Sequence, residues 1–135
     1  NGALMINSRA YFNSGRRAVA RSRDGGETWT VPRDDPALIE PVCQASLLRY
    51  SWPESDTKSR ILFSNPASNQ RNKMTVRLSC DEGRTWPVSR LLYPGPASYS
   101  CLMVLPDGRV GVLYERDHEA KITFASFRLG WLTGG

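Results

Sequence analysis

Two stretches of the chain, Ser22-Arg23-Asp24-Gly25-Gly26-Glu27-Thr28-Trp29 and Ser79-Cys80-Asp81-Glu82-Gly83-Arg84-Thr85-Trp86, share the pattern S-x-D-x-G-x-T-W. Their first residues lie 57 positions apart. That interval holds about four short strands with their connections, which is the content of one β-propeller blade. In each copy the aspartate can accept backbone N–H bonds across a turn, and the glycine permits a conformation closed to other residues. We interpret the copies as structural turns, because each has too few carboxylates for a calcium loop.

The rest of the chain consists of short apolar and β-branched runs between Gly, Pro, Asn and Asp clusters. The predicted strands are Leu4–Ser8, Arg17–Ser22, Ala45–Tyr50, Arg60–Ser64, Met74–Ser79, Val88–Tyr93, Tyr99–Leu105, Val110–Glu115 and Ile122–Phe127. No window carries a long apolar period of 3.6 residues with caps at both ends. Asp107-Gly108 marks a tight hairpin turn. The sequence therefore predicts an all-β fold.

Charge and composition narrow the class of partner. The formal net charge is +5, and 15 of the 18 basic residues are arginine, whose planar fork suits a carboxylate or phosphate. The arginines are scattered singly and no nucleic-acid recognition motif is present, so we expect an anionic ligand and no nucleic acid. No apolar stretch approaches the ~20 residues of a membrane span. Four arginines are expected to be solvated on exposed strand faces: Arg16, Arg17, Arg21 and Arg77.

Several kinds of chemistry lack the residues they need. His118 is the only histidine, which excludes a Ser-His-Asp hydrolase and a multi-histidine metal site, and a solvated loop is its expected setting. There is no phosphate-binding glycine loop and no dinucleotide fingerprint, so no cofactor is expected. Cys43, Cys80 and Cys101 show no CxxC spacing and are predicted to be buried free thiols.

A more specific pattern begins at Pro94-Gly95-Pro96-Ala97-Ser98-Tyr99-Ser100. It continues through the turn Leu105-Pro106-Asp107-Gly108 to the strand Val112-Leu113-Tyr114-Glu115. This succession, with two repeats that resemble Asp boxes, is similar to the C-terminal part of the sialidase catalytic propeller. The resemblance runs from Leu4 to Trp131, and Ile122–Leu132 resembles the closing strand of that family. It implies a six-bladed propeller with four-stranded antiparallel blades, of which residues 1–135 supply about half, without the N-terminal blades.

The resemblance also implies roles for five residues. Tyr99 matches the nucleophilic tyrosine of the family, and Arg9 and Arg71 match two of the three arginines that hold the substrate carboxylate. Gln44 resembles a pocket glutamine, although an amide that binds the local backbone is an equally open interpretation. Glu115 matches the glutamate that orients the first arginine of the triad. That arginine, the aspartate general acid and the glutamate base are not in this chain.

A tyrosine nucleophile makes physical sense for sialic acid. This sugar carries a carboxylate on its anomeric carbon, so an Asp or Glu nucleophile would approach an anion, whereas a neutral phenol would not. Most glycosidases use Asp or Glu residues for this chemistry, and sialidases are the known exception with a tyrosine nucleophile. Two guanidinium forks can fix the sugar for attack. Because a phenol with a pKa near ~10 needs a base, residues 1–135 alone are expected to be inactive.

The resulting prediction is a retaining exo-sialidase that releases terminal sialic acid from glycoconjugates, with a sialylated glycan as its partner and no cofactor. By resemblance alone, the compartment would be secreted, lysosomal or periplasmic. A trans-sialidase, including an intramolecular one, would share the same residues. Two further alternatives are a non-catalytic propeller that binds a glycan or protein, and a truncated product whose uncovered sheet faces and edges prevent a stable fold.

Overall fold

A computed structural model describes residues 2–12, 14–54 and 58–135. The described residues form strands joined in antiparallel pairs and one short C-terminal helix. The elements are β1 (Leu4–Ser8), β2 (Arg16–Ser22), β3 (Arg33–Ile39), β4 (Ser46–Ser51), β5 (Arg60–Pro66), β6 (Asn72–Ser79), β7 (Val88–Val104), β8 (Val110–Arg116), β9 (Lys121–Phe127) and α1 (Leu129–Thr133). The predicted all-β fold is confirmed.

The strands make a meander in chain order, as propeller blades do. β1, β2 and β3 form one sheet, and β4 to β9 follow one another in a second. β7 belongs to two blades, because residues 88–96 pair with β6 whereas residues 97–104 pair with β8. The unit from β4 to the first half of β7 is therefore one four-stranded blade. β1–β3 and the second half of β7 with β8 and β9 contribute three strands each to the neighbouring blades.

The structure departs from the predicted elements in three places. The strands predicted on either side of Pro94-Gly95-Pro96 are joined in β7, and register shifts in the β6–β7 pairing accommodate this segment. β3 was not predicted, because its sequence Arg33-Asp34-Asp35-Pro36-Ala37-Leu38-Ile39 contains residues that disfavour strands, although an edge strand tolerates them. The predicted closing strand ends at Phe127, and α1 follows it.

Two hydrophobic clusters hold the blades together. The larger one collects side chains from the long sheet and α1, namely Leu62, Met74, Val76, Leu78, Ala97, Leu102, Val110, Val112, Tyr114, Phe127 and Leu132. The smaller one joins Leu38 of β3 to Ile61 and Phe63 of β5 and to Trp86. Because β3 and β5 lie in different sheets, this second cluster packs one blade against the next. Arg21 adds a polar link by donating to the carbonyls of Glu82 at 2.9 Å and Gly83 at 2.8 Å.

The two repeat loops, residues 22–29 and 79–86, satisfy their polar groups internally. Asp81 accepts from the backbone N–H of Thr85 at 2.9 Å, from its hydroxyl at 2.6 Å and from Ser79 Oγ at 2.7 Å. The Gly83 N–H donates to Ser79 Oγ at 2.9 Å. The first loop makes the same four bonds around Asp24. The predicted turn chemistry is therefore confirmed in both copies.

The backbone conformation favours glycine at position 83, and the residue lies close to the neighbouring blade. Its φ is +70°, in the left-handed region that glycine adopts without steric cost. A Cβ at this position would lie 2.9 Å from Cε of Met5, a residue of β1 in the neighbouring blade. The second repeat loop therefore lies against β1, and a larger residue at position 83 would have to displace the flexible end of the Met5 side chain.

Replacing Asp81 with alanine should destabilise the fold. The change leaves the Thr85 and Arg84 N–H groups and two hydroxyls without their acceptor, and a lost hydrogen bond to a charged group costs about 1.5–3 kcal/mol. Chemical denaturation of the full-length protein measures the loss. The matched control is Glu27→Ala at an exposed position of the first loop, which should change stability by less than about 0.5 kcal/mol. Equal effects of the two substitutions would contradict this account of the loop.

The repeat-loop carboxylates also make stability depend on pH. The pKa of Asp24 is lowered, chiefly by the hydrogen bond from the Thr28 hydroxyl. Burial alone would raise the pKa of Asp81, but the bonds from Thr85 and Ser79 outweigh it and lower the pKa to about 2. Aspartates of the unfolded chain titrate near ~3.9, so below about pH 5 the unfolded state binds more protons than the folded state.

Stability should therefore fall as the pH drops from about 5 to about 2. Thermal unfolding across this range measures the effect. Asp81→Asn should have a lower Tm at neutral pH and a shallower decline in acid, since one of the carboxylates with a lowered pKa is gone. A decline as steep as that of the wild-type protein would show that Asp81 does not contribute to it.

Candidate active site

The predicted site residues lie at one end of the blades, opposite the repeat loops. The start of β4 lies beside the end of β5, through the pair Ser46 and Ser64, and Ala97 of β7 pairs with Arg116 at the end of β8. The repeat loops follow β2 and β6, which run in the opposite direction to β1 and β5. The segments at the site end carry Arg9, Gln44, Arg71, Tyr99 and Glu115.

The structure brings Arg9, Arg71 and Tyr99 together, although they are far apart along the chain. Cζ of Arg71 lies 5.7 Å from the centroid of the Tyr99 ring. The pKa of Arg9 is raised, chiefly by its hydrogen bond with the Tyr99 side chain. The Tyr99 residue is 41% exposed, so a ligand can reach it. A phenol and two guanidinium groups therefore share one accessible site.

Arg71 has two further partners, both at long range. Its Nη1 lies 3.7 Å from Oε1 of Glu119, and its Nη2 donates to the carbonyl of Val42 at 3.5 Å. Glu119 also accepts a hydrogen bond from the Ser98 hydroxyl, next to Tyr99. The ion pair is partly exposed, so it contributes at most about 1 kcal/mol to stability. Its effect is to limit where the guanidinium can lie.

Glu119 stands in a strained turn. The three successive residues Asp117, His118 and Glu119 have φ values of 54°, 58° and 61°, in the left-handed region that disfavours residues with a Cβ. The turn is tied down by the Tyr93 hydroxyl, 2.5 Å from Asp117 Oδ1, and by Lys121 Nζ, 3.0 Å from Asp117 Oδ2. His118 is exposed in this turn, as predicted. Glu119 was not predicted as a site residue, because no motif in the sequence marks it.

The amide of Gln44 binds the backbone beside Tyr99. Its Oε1 accepts from the Ser100 N–H at 2.9 Å, and its Nε2 donates to the Ser100 carbonyl at 3.0 Å. Nε2 also donates to the carbonyl of Ala45 at 3.0 Å. The second of the two interpretations of Gln44 thus describes its contacts. The side chain fixes the β7 segment that carries Tyr99, and Oε1 keeps one lone pair for a ligand.

Glu115 holds the other side of the same segment. Its Oε2 accepts from the Tyr99 N–H at 3.1 Å. A cavity of about 380 Å³ opens here, lined by Gln44, Tyr99, Ser100, Cys101, Leu113, Tyr114, Glu115 and Ile122. A larger cavity of about 640 Å³ lies between β3 and the second repeat loop, and none of the five site residues lines it. Size alone would therefore indicate the end of the molecule opposite the five candidate residues.

The prediction that Arg17 is solvated is wrong. Arg17 is 3% exposed and forms an ion pair with Glu40, with Nη1 3.3 Å from Oε2. Burial lowers the pKa of Arg17, and the charge of Glu40 opposes this shift. The sequence held a signal, because Arg16 and Arg17 are adjacent on one strand and must point to opposite faces. Arg16, Arg21 and Arg77 are partly buried.

The cysteine prediction holds for one residue of three. Cys43 is a buried free thiol, and burial raises its pKa. Cys80 and Cys101 are also free but exposed, because Cys80 lies in the second repeat loop and Cys101 lines the cavity at the site. In residues 2–12, 14–54 and 58–135 no group of three His, Cys, Asp or Glu side chains could hold a metal ion. The same ranges contain no helix long and apolar enough to cross a membrane.

Comparison with known proteins identifies the family of this chain. The model of the BNR repeat-like domain matches residues 1–112. A sialidase of Micromonospora viridifaciens is 44% identical over 139 aligned residues, which cover 99% of this chain and 21% of that protein. The chain therefore spans about a fifth of the length of this relative.

Solved structures show the same relationship. A Hadza microbial sialidase, Hz136, superposes with a TM-score of 0.81 at 39% identity and covers 97% of this chain and 26% of its own. The leech intramolecular trans-sialidase superposes with a TM-score of 0.83 at 30% identity and covers 99% of this chain and 23% of its own. The residues that these comparisons align include both repeat loops and the segment around Tyr99. The chain belongs to the BNR repeat-like domain family and is a part of a sialidase-superfamily β-propeller.

Proposed function

We propose that these residues form part of the active site of a retaining exo-sialidase, which releases a terminal sialic acid from a glycan. The observation that supports this most directly is the proximity of Arg9 and Arg71 to Tyr99, whose exposed side chain lines a cavity. The similarity to sialidases over nearly the whole chain supports the same class of reaction. The activity belongs to the longer protein that contains these residues.

In this proposal Tyr99 is the nucleophile. Its hydroxyl attacks the anomeric carbon as the bond to the leaving glycan breaks, which forms a tyrosyl-enzyme that water later hydrolyses. A phenol suits this carbon because the neighbouring substrate carboxylate repels an anionic nucleophile. The bonds from Gln44 to Ser100 and from Glu115 to the Tyr99 N–H hold the backbone of the nucleophile on both sides. A fixed nucleophile loses little entropy on the way to the transition state.

Arg9 and Arg71 would bind the substrate carboxylate. Each guanidinium can donate two parallel hydrogen bonds to a carboxylate, and charge-assisted bonds are about twice as strong as neutral ones. Both groups lie against Tyr99. A substrate carboxylate bound between them would therefore place the anomeric carbon, to which it is attached, next to the phenol. Arg9 also lies over the ring of Tyr11, with Cζ 5.0 Å from the centroid, which restricts the guanidinium before substrate arrives.

The remaining groups would come from the rest of the protein. A phenol needs a base to take its proton and the leaving glycan needs an acid, and the resemblance assigns both to carboxylates outside these residues. Glu115 accepts from the Tyr99 N–H, so one of its oxygens remains to orient the first arginine of the triad. Residues 1–135 would accordingly be one part of a propeller domain without activity of their own.

Replacing Tyr99 with phenylalanine should abolish turnover. The ring stays in place while the attacking oxygen is lost, and removing a nucleophile lowers kcat by at least about 10³-fold. The assay is hydrolysis of a fluorogenic sialoside by the full-length protein. The matched control is Tyr50→Phe, because Tyr50 donates to the Gly108 carbonyl in the hairpin turn at the other end of the blades. A Tyr99→Phe variant with the activity of the wild-type protein would defeat the assignment.

The related activity to distinguish is intramolecular transfer. The chain is 37% identical to the anhydrosialidase of Macrobdella decora, over 80% of this chain and 16% of that protein. The leech structure described above is a complex with 2,7-anhydro-Neu5Ac. Such an enzyme would use the same tyrosine and arginines, with a hydroxyl of the sugar in place of water.

Proton NMR of the products formed from 3′-sialyllactose separates these reactions. A retaining sialidase should release α-sialic acid first, which then equilibrates to the β-anomer. Initial release of the β-anomer would exclude a tyrosyl-enzyme, and a 2,7-anhydro product would show intramolecular transfer. Saturable binding of sialyllactose with no product would identify a non-catalytic glycan-binding propeller.

A further inference from the structure

Behind the site lies a buried ion pair that the proposed chemistry does not use. Arg17 is 3% exposed and Glu40 is 1% exposed. Nearly every donor and acceptor of the pair has a partner. Arg17 donates to Asn7 Oδ1 at 2.7 Å, to the Asn7 carbonyl at 3.0 Å and to the Cys43 carbonyl at 2.7 Å. Because nearly all of its hydrogen-bonding groups are used, the ion pair restricts the backbone segments that it contacts.

Glu40 closes the loop that carries Arg9. Its Oε1 accepts from the N–H of Ala10 at 2.8 Å, immediately after Arg9. Its backbone N–H donates to the carbonyl of Gly15 at 3.0 Å, at the other end of the same loop. Both ends of this loop are therefore attached to one residue of the following blade connection.

The same pair shapes residues 40–44, which we call the hub segment. Oε2 of Glu40 accepts from the N–H of Cys43 at 3.0 Å and so holds the turn closed. Val42 inside this turn has a φ of 54°, a conformation that is strained for a β-branched residue and persists only where its surroundings impose it. The Val42 carbonyl accepts from Arg71, and Gln44 binds Ser100 next to Tyr99.

We propose that Arg17 and Glu40 are positioning residues of this site. They impose the shape of the hub segment and thereby set the distances among Arg9, Arg71 and Tyr99. Glu40 acts on Arg9 through the Ala10 N–H, on Arg71 through Val42 and on Tyr99 through Gln44. The kinetic test of this inference rests on the proposed function. The effect on the positions of Arg9, Arg71 and Tyr99 can be measured without it.

Stability alone does not explain the pair. Two apolar side chains of similar volume often stabilise a protein interior as well as a buried ion pair does. They cannot, however, accept hydrogen bonds from the N–H groups of Ala10 and Cys43. Stability and positioning can therefore be separated by exchanging the pair for an apolar one.

The test uses the full-length protein with three variants: Glu40→Gln, Arg17→Lys and the double variant Arg17→Met with Glu40→Met. In Glu40→Gln, the amide NH2 faces a backbone N–H, donor against donor, so kcat/KM for a fluorogenic sialoside should fall about 100-fold, as for a displacement of about 1 Å. Arg17→Lys keeps the buried charge but loses the fork, and its kcat/KM should fall by a smaller factor. The double variant should regain part of the Tm that the single variants lose, because it leaves no buried charge unpaired, without recovering kcat/KM.

The matched control is Arg21→Met, which removes a link between the same two blades at the repeat-loop end. Its Tm should fall while KM and kcat stay unchanged. A folded double variant with kcat/KM within threefold of wild type would overturn the inference, whatever its Tm, because the pair would then be structural only. If Glu40→Gln does not fold, the double variant and Arg17→Lys decide the question.

Failure of the proposed function would be recognisable separately. A wild-type protein that neither cleaves nor binds a sialoside would refute the function but not the positioning. Crystal structures of the wild-type protein and of the double variant would then decide, through the distance between Arg71 Cζ and the Tyr99 ring. A displacement of Arg9 or Arg71 in the variant supports the inference, and unchanged positions contradict it.

Discussion

A carboxylate and a guanidinium buried together lose more hydration energy than their attraction returns, unless the remaining donors and acceptors are also used. The pair of Arg17 and Glu40 meets this condition through the backbones of Asn7, Ala10 and Cys43. The ion pair therefore also fixes geometry, because Asn7 and Ala10 belong to β1 and the loop after it, whereas Cys43 belongs to the connection from β3 to the next blade. The loop with Arg9 and the hub segment cannot move apart without leaving buried charge unpaired.

At the two ends of the blades, polar groups find their hydrogen-bond partners at different separations along the chain. At the repeat-loop end, Asp81 and Asp24 bind groups no more than four residues away, so the hydrogen bonds that shape each turn are local. At the site end the bonds span long separations, as between Gln44 and Ser100 or Ala10 and Glu40. The hydrogen bonds of the first arrangement can be repeated from blade to blade, because they need no partner outside the turn. The second exists only once the blades are assembled, which couples the site to the fold as a whole.

This difference also decides what the sequence could predict. The repeat loops and strands such as β1 and β6 follow from local patterns, and the structure contains them. The meeting of Arg9, Arg71 and Tyr99 followed from a resemblance, and local pattern alone would not have indicated it. β3 was missed because an edge strand tolerates proline and aspartate, and burial of Arg17 was missed because its partner lies 23 residues away. No local rule describes a side chain whose partners come from another blade connection.

The contacts of Arg71 with Glu119 and with the Val42 carbonyl are long, which suits a guanidinium that is proposed to bind a substrate carboxylate. Its distances of 3.7 Å to Glu119 and 3.5 Å to the Val42 carbonyl exceed the 2.7–2.9 Å of a good charge-assisted bond. These contacts restrict the guanidinium, which lowers the entropy cost of binding, and at 43% side-chain exposure its other N–H groups remain accessible to a ligand. An incoming carboxylate can therefore form short bidentate bonds without first breaking strong ones. A tightly paired arginine such as Arg17 would have to give up its bonds, and for this reason it serves the structure around the site and not the ligand.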